Sequence, residues 1–192
     1  YLPGRIPDEL NDFSRSFEIS EGNLASEFRE NKGAGRELPT NISKFYKIYE
    51  TYQDIGDTIS LKLNDERKFS NFANKSLYSF VCYIPQTIGL SIGKILNTPI
   101  FGQWILGKIF NYAFFVLLIY FSIKYIPFKK ELVLFLGLLP EVIQEAVSLS
   151  PDAMTIASAI ALTSFVLYFR YGTKEIMKKW QFALLALLAV ML

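Results

Sequence analysis

The chain of 192 residues is 51% apolar, with a positive mean hydropathy of +0.25, and its 20 basic and 18 acidic residues nearly cancel to a net charge of +2. It has no histidine, which excludes histidine triads, histidine general bases and histidine metal sites, and its single cysteine excludes an intrachain disulfide. No basic stripe interleaved with aromatics is present, so nothing points to nucleic acid.

These averages conceal two unlike halves. Residues 1–75 carry most of the charge and read as a polar head, whereas long apolar runs begin near residue 76. The chain opens on Tyr1 and closes on Leu192 within an apolar run, so a piece of a longer protein is expected, with a first helix and later helices outside it.

In chain order, residues 7–20 predict a helix. Pro7 suits a first turn, acidic residues follow it, and Leu10, Phe13 and Phe17 recur at helical spacing, with Asp8, Asp12 and Arg15 on another face. Residues 31–39, with Gly33, Gly35 and Pro39, read as a loop. Residues 40–52 predict a second helix, capped by Thr40 or Asn41, with Ile42, Phe45, Tyr46 and Tyr49 on its apolar face. Residues 53–75 show no period.

Residues 76–100 hold an interfacial or re-entrant helix opened by Pro85. It is too short to span a bilayer, carries Ile84, Ile88, Ile92 and Ile95 on one stripe, and has Gly89 and Gly93 placed for close helix contact. Membrane spans are expected at about 101–126, 131–148 (interrupted by Pro140), 153–170 and 181–192. Lys124, Lys129 and Lys130 follow the first span, and Arg170, Lys174, Lys178 and Lys179 follow the third, while residues 148–152 carry no positive charge. The positive-inside rule then puts the lysine-rich turns in the cytoplasm and residues 1–100, with the 148–152 turn, on the outer side. The expected fold is an all-α polytopic membrane protein.

Several residues are candidates for chemistry. Asp8 and Glu9 open a helix on the outer side, where they serve either the helix dipole or a reaction. Asp152 starts a membrane helix on that same side, as a cap or as a second acidic arm of one outer cavity. Glu141, Gln144 and Glu145 lie in the outer part of a membrane helix, a depth at which charge is costly and usually faces a polar cavity. Lys108, Asn111 and Lys94 lie near the headgroup level, where each lysine either snorkels or pairs with a phosphate. Cys82, in an apolar stretch, reads as a buried inert thiol. Asn41-Ile42-Ser43 and Asn74-Lys75-Ser76 match the N-glycosylation tripeptide, which carries no weight without a eukaryotic context.

The ordered set RIPDELNDFSRSFEISEGN, GRELPTNI, YIPQTIGLSIGKI, LGKIFNYAFFVLLIY and LLPEVIQEAVSLSPDAMTIA resembles the bacterial membrane-protein family called domain of unknown function 2142. That family in turn resembles the GT-C glycosyltransferases, including protein O-mannosyltransferases, which use polyprenyl-phosphate sugars and carry an acidic motif in the first outer loop. Asp8-Glu9 stands where that motif would be, and Asp12 stands where family members often have a histidine. The resemblance implies a partial GT-C-like fold in the bacterial cytoplasmic membrane. Asp8 and Glu9 would be catalytic; Asp12, Arg15, Lys94, Lys108, Asn111, Glu141, Glu145 and Asp152 would bind substrate. The implied partners are membrane lipid, a polyprenyl-phosphate-linked sugar and a glycan or lipid acceptor. No cofactor is called for, although paired carboxylates are compatible with a divalent metal. Two competing classes make different demands. A transporter or lipid-carrier flippase predicts inverted repeats, of which the sequence shows none; a non-catalytic scaffold predicts tolerance of neutral residues at Asp8, Glu9 and Asp152.

Overall fold

The computed structural model describes residues 3, 6–51 (backbone only over 48–51), 56, 59–173 and 177–192; the Tyr49 side chain and Lys174 lie outside the described residues. The first helix, α1 (Glu9–Ser20), is buried around most of its circumference. Phe13 and Phe17 enter a core with Ile42, Phe45 and Tyr46 of α2 (Thr40–Thr51), while Glu9, Asp12, Arg15 and Glu18 are buried on its polar side. Gly22, at φ +88°, stops α1: its N–H and that of Asn23 close back on the carbonyls of Ile19 and Glu18. Asn64, rather than Thr40 or Asn41, caps α2 by accepting the Asn41 N–H at 3.1 Å.

The head is not all helical. A three-stranded antiparallel sheet joins β1 (Glu27–Arg29), β2 (Gly33–Pro39) and β3 (Arg67–Asn71) in that order, with Phe28 opposite Ala34 and Glu37 opposite Phe69. This corrects the all-α expectation, the loop expected at 31–39 and the unassigned stretch 53–75. The strands are short and polar, without the apolar alternation by which a strand is read. What would have read as breakers are pairing devices: Asn31 and Gly33 turn the chain at positive φ, and a Cβ on Gly35 would run into the Ser70 carbonyl. Arg29 ties the surface together, paired with Glu27 and Glu37 and stacked 4.7 Å from the Phe69 ring centroid.

A short helix, α3 (Ala73–Ser76), and a 3-10 turn (Phe80–Tyr83) lead into α4 (Ile84–Ile95). α4 packs as an antiparallel hairpin on α5 (Ile100–Tyr125). The glycines set the approach as expected: a Cβ on Gly89 would collide with the Leu106 carbonyl, and one on Gly93 with Gln103. Gln86, Gly89, Leu90 and Gly93 face inward, and Ile84, Ile88 and Ile95 face out.

The head encloses the first third of α5, with Ile100 and Trp104 inside the head's core. From Ile109, which is 54% exposed, the helix presents Tyr112, Phe114, Val116, Leu117, Tyr120 and Phe121 outward. Asn111, Phe115, Ile119 and Ser122 form its buried seam. From Ile109 to the end of the helix is about 25 Å at 1.5 Å per residue, close to the thickness of a bilayer's hydrocarbon.

The chain returns through α6 (Lys130–Gly137) and α7 (Pro140–Ala146), broken where Pro140 starts the second helix. Each alone falls short of the length needed to cross a bilayer, and the break falls at Pro140 within the stretch 131–148. α8 (Asp152–Leu167), prolonged by a π turn to Gly172, runs parallel to α5, its start beside Asn111 and its end beside Tyr125, and lays Ala153, Ala157, Ala161 and Ser164 inward. α9 (Lys179–Val190) runs back along α8 and is 12 residues long. Among the described residues, two helices are long and apolar enough to cross a membrane, Ile100–Tyr125 and Asp152–Gly172. At their far end Tyr125 meets Tyr168, with ring centroids 5.3 Å apart, and Phe128 meets Tyr171 at 6.0 Å. Lys124, Lys129, Lys130 and Arg170 therefore gather at that end, and Asp152 and the head lie at the other.

Candidate functional site

The site begins at the turn into α1. Asp8 has a left-handed backbone, φ +61°, which aspartate tolerates better than most residues. Its carbonyl accepts the N–H groups of Asn11 and Asp12 at 2.8 and 3.0 Å, while its side chain makes no cap bond and is 54% exposed. One helical turn later Asp12 is buried. The buried Lys75 of α3 stands between them, its Nζ 3.3 Å from Asp12 Oδ1 and 3.8 Å from Asp8 Oδ2. Asn74 donates to Asp8 Oδ2 at 3.4 Å, and Tyr83 donates its hydroxyl to Asp12 Oδ1 at 3.2 Å.

The cluster extends to the start of α8. Lys75 lies 5.7 Å from the centroid of the Tyr78 ring, and the Tyr78 hydroxyl donates to Asp152 Oδ1 at 3.0 Å. Ser150 holds the other Asp152 oxygen, also at 3.0 Å. Asp8–Asp12 and Asp152, distant in sequence, thus belong to one network through Lys75 and Tyr78. Burial raises the Asp12 carboxyl from 3.8 to about 7; Lys75 and Tyr83 pull it down, and the Asp152 charge pushes it further up. Burial, then the bond to Asp152, pushes the Tyr78 phenol up to about 12. Beside Tyr78 a cavity of about 350 Å³ opens, lined by Leu77, Ser79, Cys82, Thr155 and Met191 among others.

The neighbouring acid has a different fate. Glu9 is fully buried and pairs with Lys108 at 2.7 Å, and the Lys108 ammonium also sits 3.8 Å from the Trp104 ring centroid. This pair lies one residue before Ile109, so the acidic cluster sits at the level where α5 starts to expose apolar surface.

The family model described as "Predicted membrane protein (DUF2142)" matches residues 2–192. The chain belongs to the DUF2142 family. No curated protein and no solved structure matches it.

Against this DUF2142 geometry the residues singled out in the sequence separate into groups. Asp8, Asp12 and Asp152 come together. Lys108 and Arg15, both expected to bind substrate, are engaged within the protein: Lys108 with Glu9, and Arg15 with Glu18, Ser26 and the Leu24 carbonyl. Arg36 closes that second network on Glu18 at 2.8 Å. Asn111 is buried and fastens the 148–150 turn, donating to the Ser148 carbonyl at 3.0 Å, helped by Gln86 donating to the Ser150 carbonyl at 3.2 Å. Lys94 donates to Ser20 and sits 3.5 Å from the Phe17 ring centroid; burial lowers it to about 8. Glu141 is exposed and Glu145 half-buried on α7, and no described side-chain bond joins either to the cluster. Cys82 is buried, and its thiol is pushed up by burial, as expected of an inert cysteine.

Sequence patterning does not mark Lys75, Tyr78 or Tyr83. Lys75 lies in the stretch without a period and stands out only as the middle residue of a glycosylation tripeptide. Among the described residues no group of three or more carboxylate or cysteine side chains gathers as metal ligands. The Lys75 ammonium stands where a cation between Asp8 and Asp12 would sit.

Proposed function

We propose that this chain is part of a polytopic glycosyltransferase of the bacterial cytoplasmic membrane, with a GT-C-like architecture. It moves a sugar from a polyprenyl-phosphate donor to a cell-envelope glycan or lipid on the outer face. One observation carries the reading: Asp8, a half-exposed carboxylate beside a buried cation and a second, buried carboxylate, lies at the depth where α5 begins to expose apolar side chains. A lipid-linked donor keeps its prenyl chain in the hydrocarbon and its phosphate at that same depth. The separation of lysine-rich turns from the acidic end supports an outward-facing head.

In the transfer, an acceptor hydroxyl oxygen attacks the anomeric carbon. The bond from that carbon to the phosphate oxygen breaks, and the polyprenyl phosphate leaves with the electron pair. Asp8 takes the hydroxyl proton. Such general-base help is worth about 10²–10⁴-fold. The cavity beside Tyr78 gives the acceptor an approach next to the cluster. Glu9, locked on Lys108, supports the turn that carries Asp8 and does not reach the acceptor.

The test uses the full-length protein in membranes with polyprenyl-phosphate-linked hexoses. Asp8→Asn should lower kcat about 10²–10⁴-fold. Unchanged transfer and unchanged envelope glycan composition would remove Asp8 from the reaction.

A further inference from the structure

We propose that Lys75 is the cation that receives the donor's phosphate, and that phosphate binding releases Asp8 to act as the base. The proposal rests on the glycosyl-transfer reading above and adds how that site is loaded. A phosphate needs a cation whose partner can give way. Lys108 is closed by a buried bond to Glu9, and Arg15 by the buried Glu18. Taking either from its partner leaves a buried carboxylate unpaired, which is costly.

Lys75 is held differently on its two sides. Its inner contact, to buried Asp12, is 3.3 Å; its outer contact, to half-exposed Asp8, is 3.8 Å. The outer contact is long and its carboxylate is half-exposed, so it contributes little and is the one an incoming anion can replace. Tyr78 flanks the ammonium, and Asn74 stands beside the Asp8 carboxylate as a second donor. A phosphate oxygen arriving from the exposed side takes the place of Asp8 Oδ2. Asp8 sits on the turn before α1, outside the buried body of that helix, and its carboxylate can swing toward the acceptor. The same event that positions the leaving group therefore frees the base, and the resting site keeps its carboxylate paired.

Binding of decaprenyl phosphate to the full-length protein in nanodiscs reads this without any transfer assay. Lys75→Met should weaken binding about tenfold or more, and Lys75→Arg should hold it within roughly threefold. Asp8→Asn, which removes the competing anion, should tighten binding roughly two- to fivefold. Wild-type affinity in Lys75→Met, or weaker binding in Asp8→Asn, overturns the proposal. The Asp8 arm decides alone if Lys75→Met fails to fold, because asparagine suits a left-handed backbone at least as well as aspartate. Competition by millimolar inorganic phosphate would assign recognition to the phosphate itself. Resistance to it would assign recognition to the lipid-borne group. Both outcomes keep Lys75. Equal competition by phosphatidylglycerol would reduce the effect to general attraction of anionic lipid and overturn it. The two readings fail separately: loss of transfer in Asp8→Asn with Lys75-independent binding keeps the transferase and discards Lys75. Lys75-dependent binding without transfer from any donor does the reverse.

Discussion

Asp8 and Glu9 are adjacent acids at the start of one helix, each beside a lysine, and they end in opposite physical states. Glu9 is fully buried and joined to Lys108 at 2.7 Å, whereas Asp8 is half-exposed and 3.8 Å from a lysine already held by Asp12. The first arrangement fastens the head to α5. The second leaves a carboxylate within reach of an incoming group. The sequence motif marks both residues alike, and only their burial and pairing separate a structural acid from a reactive one.

The largest effect that distinguishes them is on folding. Glu9→Gln leaves Lys108 buried beneath the head without a counter-charge, and removing one partner of a buried pair costs about 3–5 kcal/mol. Thermal unfolding in detergent should show the loss, and replacing the pair together by Glu9→Gln with Lys108→Met should recover much of it. If Glu9→Gln unfolds like the wild type, the pair is not a fastener, and the contrast with Asp8 collapses.

A second measurement tests the inner carboxylate. The folded protein holds the Asp12 proton up to about pH 7, whereas the unfolded chain releases it near its ordinary value of 3.8. Stability from this group is therefore complete below about pH 4 and is lost as pH rises through about 7. Wild-type protein should lose stability across that window by up to a few kcal/mol relative to Asp12→Asn, which carries no titrating group there. Unfolding midpoints of the two proteins at pH 4, 6 and 8 check this. Parallel curves would mean that Asp12 is ionised throughout and that Lys75 holds it more tightly than burial opposes it.

How much of this was legible in the sequence follows from what each element depends on. α1, α2, α5 and α8 could be read because a helical stripe or a long apolar run is a local property. Gly89 and Gly93 signalled a close helix contact for the same reason: a missing side chain is visible in one residue. The sheet could not be read, because β1 and β3 are polar and β3 pairs with a strand far along the chain, as Glu37 opposite Phe69 shows. Lys75 belongs with the sheet in this respect. Nothing beside it in sequence marks it, and it reaches Asp8 and Asp12 only because β3 returns the chain to the start of α1. Lys108 is the converse case, conspicuous in an apolar run yet buried on a partner the sequence presented as catalytic.

The smallest effect completes the contrast. Asp8→Asn should change thermal stability by no more than about 1 kcal/mol, even while transfer falls. The long Lys75–Asp8 contact, half-exposed on its carboxylate side, contributes roughly 0–1 kcal/mol. Asparagine is at ease at φ +61°, and its amide keeps an oxygen for Asn74. Lys75 retains its 3.3 Å contact with Asp12. A loss comparable to that of Glu9→Gln would show that Asp8 is held as firmly as its neighbour, and a carboxylate held that firmly is not free to accept a proton. A near-neutral melting curve combined with lost transfer separates the two acids: one supports the fold, and the other is available for chemistry.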